Sequence, residues 1–481
     1  MLFSSMFFLE MFLPAVLAGH TLLQWLAQRQ TGHGVSHRFW QQAANAFLLA
    51  ASLVFYAWGE PRHLLVLGTS IVLNYAAGLA VASLRVEGRQ GRAVATAVVL
   101  NLGLLVYYKY MNFFMDAAGM GLAERIAQPL GVSFFTFRGI SYVVDVSRGT
   151  TRASRSLLTF GCYMALFPQL VAGPIDRHPL LAPQLAARRL DLEGFAEGAR
   201  RFILGLAKKA LLADTLAKVA DAAFNAPAQE LSSATAWAGL ICYTLQIFFD
   251  FSGYTDMAVG LARMLGLRIT ENFNYPYIAR SVREFWQRWH MSLSSWFRDY
   301  LYIPLGGNRR GPVRTGINLF MVFFLCGMWH GAGWAFIAWG AYHGLCISLE
   351  RFFPRFFEAL PRPLQHGYLL LAIMLGWTLF RAPTLEAALG YYGALAGLST
   401  PGEAVKEVLW SLHGVDVQAA LLLGVLCSMP TAQWLAQRLP AGLAASPAAA
   451  LARAVLLAVL FVVSLAPLAG KTFQPFIYAQ F

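Results

Sequence analysis

The stretch "GINLFMVFFLCGMWHGAGWAFIAWGAYHGLCIS" (residues 316–348) is almost pure hydrocarbon, with an imidazole, His330, near its middle. A spanning helix needs about 20 predominantly apolar residues. The stretch is therefore long enough for two passes, broken at His330 and Gly331. An ionisable ring in such surroundings is costly unless it is paired or used. Either His330 is a tolerated core residue, or the surrounding chain is organised around it.

Comparable apolar runs recur around 3–26, 43–58, 63–84, 93–115, 157–173, 233–249, 366–380, 415–429 and 449–469. Hydrophobic residues make up 58% of the 481-residue chain and charged residues 13%, about half the charged share of a soluble domain. Mean hydropathy is +0.53. These features predict an all-α, polytopic integral membrane protein with about ten to twelve transmembrane or re-entrant helices. The first segment lacks a basic leader and carries Glu10, which favours a retained helix over a cleaved signal peptide. No long linker or soluble domain interrupts the pattern, so a single domain over 1–481 is expected. Five scattered cysteines in apolar settings give neither a disulfide framework nor a metal site. "GKT" at 470–472 has Leu465 where a phosphate-binding loop needs glycine, so it is a chance match.

The net charge of +13 is clustered. Between Arg177 and Lys209 seven basic residues face three acids, and between Arg280 and Arg314 seven arginines face two acids. Basic loops stay cytoplasmic, so the loops around 85–92, 177–209 and 303–314 are expected on that side. Some of these guanidinium groups could instead bind an anionic substrate. Nucleic acid is a poor partner for charges set between membrane spans. In "RSVREFWQRWHMSLSSWFRDYL" (280–301) apolar residues fall at 282, 285, 286, 289, 293, 296, 297 and 300. That spacing predicts one amphipathic helix at the membrane interface, with His290 solvated at the edge of its apolar stripe.

Of ten histidines, His20, His33, His37 and His63 read as hydrated groups near helix ends, and His178, His366 and His413 lie in polar or proline-containing connections. His343 reads as a satisfied structural histidine, while His290 and His330 are open to either reading. Gly327, Gly331 and Gly333 around His330 permit close helix packing and also leave room for a substrate. Asp250 and Asp256 in "FFDFSGYTDMAVG" would be structural if paired with arginine, and as an acid pair they could help proton transfer; the structural reading is favoured. Serine nucleophile elbows, zinc-protease motifs and Cys–His pairs at useful spacing are missing.

"FWQRWHMSLSSWFRDYLYIPLGGNRRG" (285–311) followed by "GMWHGAGW" (327–334) resembles the membrane-bound O-acyltransferase family in its bacterial branch. "FDFSGYTDMAVG" (249–260), "ENFNYPY" (271–277), "FPQLVAGPI" (167–175) and the terminal "FQPFIYAQF" (473–481) are similar to the polysaccharide O-acetyltransferase subgroup, typified by the alginate system. The resemblance covers essentially the whole chain. It implies a ring of tilted helices around a central pore, with His330 as the catalytic residue and His290 as a second functional histidine. It also implies acetyl transfer from a cytoplasmic thioester, acetyl-CoA, outward to an envelope polymer across the inner membrane.

That chemistry suits the residues. A neutral imidazole can take the proton of an attacking hydroxyl, a contribution of about 10²–10⁴-fold. Trp329, Trp334, Asn318 and backbone N–H groups near the glycines are candidate donors to substrate and oxyanion. The thiol leaving group has a pKa of about 8.5 and departs readily. No metal and no bound cofactor are expected. The missing soluble domain and G-D-S block imply a periplasmic acetyltransferase partner that passes the group to a polysaccharide. Acylation of cellulose or peptidoglycan, D-alanylation, and a non-enzymatic exporter are the competing readings.

Overall fold

In hydrocarbon a backbone must satisfy its own N–H and C=O groups, and a helix does so within one segment. The computed structural model follows that rule: among the described residues every regular element is helical. The structure describes residues 1–29, 35–121, 124–438, 446–470 and 476–477. His33, most of the 470–472 match and most of the terminal motif lie outside them.

Two compact units are formed. Among the described residues the first comprises those within 1–203 and 254–271, and the second those within 204–253 and 272–477. The first contains α1 (Leu13–Arg29), α2 (Val35–Gly59), α3 (Leu64–Val86), α4 (Gln90–Ala117), α5 (Val132–Arg148), α6 (Leu157–Ala165), α7 (Phe167–Leu170) and α8 (His178–Ala186). After α9 (Leu192–Ala207), the second contains α10 (Asp214–Asn225), then α12 (Val282–Arg288), α13 (Met291–Phe297), α14 (Gly311–His330), α15 (Trp334–Phe352), α16 (Pro354–Ala359) and α17 (Arg362–Arg381). The long α11 (Ser233–Met264) contributes to both.

Among the described residues seven helices are long and apolar enough to cross a membrane, or eight if the bent pair Ala404–Leu412 and Val415–Cys427 is one span. The stretch 157–173 is not a span: it is broken at Leu166 into α6 and α7. Nine residues of α6 rise only about 14 Å, half of a hydrocarbon core of about 30 Å. The stretch 316–348 does form two helices, α14 ending at His330 and α15 starting at Trp334.

The glycines of that hairpin serve its packing. A Cβ on Gly327 would lie 2.4 Å from the Phe336 carbonyl oxygen and 2.8 Å from the Gly340 Cα, so the two backbones touch. A Cβ on Gly331 would meet the Phe336 ring at 2.2 Å. At Gly327 and Gly331 the space is filled by the partner helix and not left for substrate, which corrects the sequence reading there; only at Gly333 would a Cβ meet nothing nearer than 3.8 Å.

Three readings of polar groups change in the first unit. His20 is buried instead of hydrated, and His178, expected in a polar or proline-containing connection, is buried at the start of α8. Arg188, expected in a cytoplasmic loop, is buried too: its guanidinium donates to Asn45 Oδ1 at 2.6 Å and reaches His20 Nε2 at 3.0 Å. Of the acids of α11, Asp256 pairs with an arginine as read, Arg201 at 2.7 Å in the first unit, whereas Asp250 pairs with a lysine, Lys209 at 2.7 Å in the second.

Candidate active site

The segment 280–301 is two helices, not one. Ser281 caps α12 by accepting the Glu284 N–H at 3.0 Å. The Glu350 carboxylate, from α15, accepts the N–H groups of Val282 at 2.6 Å and Arg283 at 3.0 Å. Those first-turn donors lack partners within the helix, and an anion there is favoured by the helix dipole. The helix then stops at Arg288: Trp289 is extended, with φ −100° and ψ 129°, and His290 adopts φ 46° and ψ 54°. For a residue with a Cβ that left-handed conformation costs about 1–3 kcal/mol and persists only where surroundings enforce it.

Asn272 enforces it. Its backbone carbonyl accepts the Met291 N–H at 3.0 Å. Its side-chain Oδ1 accepts the Ser292 N–H at 3.1 Å and the Ser292 hydroxyl at 2.8 Å. The same Oδ1 lies 3.1 Å from His290 Nδ1. An atom that accepts a backbone N–H is the amide oxygen, so His290 Nδ1 must carry the proton in this bond. In the neutral ring Nε2 is then the basic nitrogen. His290 is fully buried instead of solvated at an interface. Burial lowers its pKa well below that of a free imidazole, which keeps the ring neutral at physiological pH.

His330 ends α14 and is buried among aromatic rings. Its ring centroid lies 4.8 Å from Trp329, 5.0 Å from Trp339 and 5.3 Å from Phe380, all edge-on. Trp329 also lies 6.3 Å from the His290 ring, so it touches both histidines. A cavity of about 880 Å³ within the second unit is lined by His290 and His330 together with Leu293, Val322, Phe323 and Cys326. Toward solvent its lining changes to Arg280, Arg283, Arg351, Tyr302 and Asn308. These three arginines are exposed. Arg283 and Arg351 both act on the Tyr302 phenol, opposing the effect of burial on its pKa.

Trp334 is 61% exposed and does not line the cavity. Asn318 also stands outside it: its amide donates to the carbonyls of Gly307 at 3.0 Å and Leu305 at 3.4 Å, holding the basic turn. Twelve residues along α14 separate it from His330, about 18 Å. His343 is not the satisfied histidine the sequence suggested. Neither ring nitrogen has a hydrogen-bond partner, and the ring packs 5.1 Å from both Trp286 and Trp339, closed in by Gly376. Sequence reasoning missed Asn272 and Glu350 as supporting groups. A lone acid in "LCISLERFF" (345–353) was the available signal for Glu350, and Asn272 had none beyond its place in "ENFNYPY".

An imidazole facing this cavity with its basic nitrogen, as His290 does through Nε2, can accept a proton from a hydroxyl, and His330 lines the same space. The membrane-bound O-acyltransferase family model matches residues 89–380. The chain belongs to that family. A probable alginate O-acetylase AlgI of Azotobacter vinelandii is 39% identical over the full length of both chains. A peptidoglycan O-acetyltransferase of Helicobacter pylori is 33% identical, covering 83% of this chain and 80% of its own. A teichoic acid D-alanyltransferase of Bacillus subtilis is 30% identical over 56% of this chain and 71% of its own. As a membrane-bound O-acyltransferase the protein is a multi-pass membrane enzyme, and the histidine-lined cavity is its candidate active site.

Proposed function

We propose that this acyltransferase takes acetyl groups from acetyl-CoA at the cytoplasmic face of the inner membrane. It passes them outward for O-acetylation of an exported polysaccharide of the alginate type. The observation that carries this reading is one cavity that has both His290 and His330 in its lining and Arg280, Arg283 and Arg351 exposed at its mouth. Guanidinium groups suit the phosphates of a nucleotide carrier. The mouth also borders the basic turn around Arg309 and Arg310, which positive-inside bias puts in the cytoplasm. The full-length likeness to a probable alginate O-acetylase supports the polymer class.

In this mechanism His330 acts as general base, drawing the proton from the attacking hydroxyl as the thioester carbonyl becomes tetrahedral. The intermediate collapses by expelling coenzyme A as its thiolate, which takes up the proton. His290 assists: with Nδ1–H committed to Asn272, its Nε2 can only accept a hydrogen bond or a proton. Trp329 holds both rings in place. A periplasmic acetyltransferase delivers the group to the polymer.

The test is to reconstitute the purified protein in vesicles with acetyl-labelled acetyl-CoA outside and an acceptor supplied. Free coenzyme A and labelled ester should appear with wild type and be lost with His330→Gln, which retains a polar group but no basic nitrogen. Full activity in that variant would remove His330 from the role. Movement of polymer without thioester cleavage would favour an exporter.

A further inference from the structure

A second concavity, of about 1000 Å³, lies in the first unit beside the last turn of α3 and the segment that follows α5. It has two unlike walls. Leu79, Val86 and Val146 form an apolar one; Arg85, Arg152 and Arg155 form a cationic one, and no carboxylate lines the space. The nearest acid in sequence to Arg85, Glu87, faces Arg89 at 3.6 Å. The Arg85 guanidinium is held in place against Gly149, where a Cβ would come within 2.2 Å of it.

The apolar wall continues along the membrane. Leu65, Val72, Leu79 and Val86 are all exposed and fall seven residues apart on α3. Seven residues are nearly two turns, so the four form one stripe. From Val72 to Val86 the stripe rises about 21 Å, more than one leaflet's share of a core of about 30 Å. This helix is among those long and apolar enough to span.

We propose that this cleft binds one anionic phospholipid. Its phosphate sits among Arg85, Arg152 and Arg155, and an acyl chain lies along Val72, Leu79 and Val86. Two features must coincide for this ligand: cations without a counter-charge, and an apolar track of membrane length leading from them. Basic clefts beside spanning helices suit acidic headgroups in this way. A soluble phosphate compound would use the arginines but not the track, and a zwitterionic lipid the track but not the net charge.

Native mass spectrometry of the full-length protein in mild detergent tests the idea, with phosphatidylglycerol and phosphatidylcholine of matched chains added in turn. Wild type should retain phosphatidylglycerol about tenfold more strongly or better. The combined variant Arg85→Gln, Arg152→Gln, Arg155→Gln should lose that preference. Leu79→Asp should weaken phosphatidylglycerol retention although all three arginines remain. Equal retention of both lipids by wild type, or an undiminished preference in the arginine variant, would overturn the proposal. Displacement of the lipid by millimolar inorganic phosphate would also overturn it, in favour of a soluble ligand. Should the combined variant not accumulate, Arg152→Gln and Arg155→Gln singly carry the same reading, because both lie in an exposed loop.

Discussion

Asn272 Oδ1 accepts the Nδ1–H of His290 at 3.1 Å while accepting the backbone N–H of Ser292, also at 3.1 Å. One amide oxygen thus ends a helix break and selects the tautomer of a candidate catalytic ring.

Replacing Asn272 should therefore disturb chemistry more than folding. Asn272→Ala is expected to lower turnover roughly ten- to a hundredfold, toward the low end of a general-base contribution. Asn272→Asp retains the acceptor and should retain more activity, with a pH profile shifted upward because a carboxylate stabilises the imidazolium. Equal losses in both variants, with an unshifted profile, would mean the residue only supports the backbone.

The mouth arginines predict a separate phenotype. On the proposal that they hold the phosphates of the carrier and not the reacting carbonyl, Arg283→Gln with Arg351→Gln should raise KM for acetyl-CoA severalfold and leave kcat nearly unchanged. Added salt should raise the wild-type KM and have less effect on the variant. A fall in kcat at constant KM would place them elsewhere in the cycle.

The α14–α15 hairpin should tolerate no added methyl at its crossing. Gly327→Ala would set a Cβ 2.4 Å from a backbone carbonyl, and overpacking of this kind costs about 1–3 kcal/mol or more. Lower accumulation and a lower melting temperature in detergent are expected. Gly333→Ala is the control, because its nearest neighbour would be 3.8 Å away. An unchanged melting temperature for Gly327→Ala would contradict the packing.

His178 gives the stability a pH dependence. Burial lowers its pKa to about 4 from 6.5, and its Nδ1 lies 2.8 Å from the Thr151 hydroxyl. Below pH 6.5 the unfolded chain takes up a proton that the folded one refuses, so stability falls as pH drops from about 6.5 to about 4. The slope is about 1.4 kcal/mol per pH unit. His178→Gln should flatten the melting-temperature curve over that window. A slope identical to wild type would assign the dependence to other groups.

Much of this protein is determined by sequence alone. Long runs of apolar residues admit only helices in a membrane, and the break in the stretch 316–348 is legible because glycines flank a lone imidazole in hydrocarbon. That Asp250 and Asp256 are structural, charge-paired acids followed from the cost of burying charge, although the lysine that meets Asp250 did not. Both histidines could be singled out, His330 from its position in an apolar run and His290 with the help of a family motif. What the sequence did not contain was their surroundings. Periodicity from Val282 to Tyr300 runs unbroken through His290, so the helix break there was invisible. It is decided by Asn272, eighteen residues earlier in the chain. Arg188 and His20 looked like solvated groups, because a buried polar network is satisfied by partners distant in sequence such as Asn45. Asn318 and Trp334 flank His330 in sequence but stand outside the cavity, since helical rise and face separate them from the ring. Local pattern reports whether a segment can bury its backbone; which side chains converge on one cavity depends on contacts that only the folded chain makes.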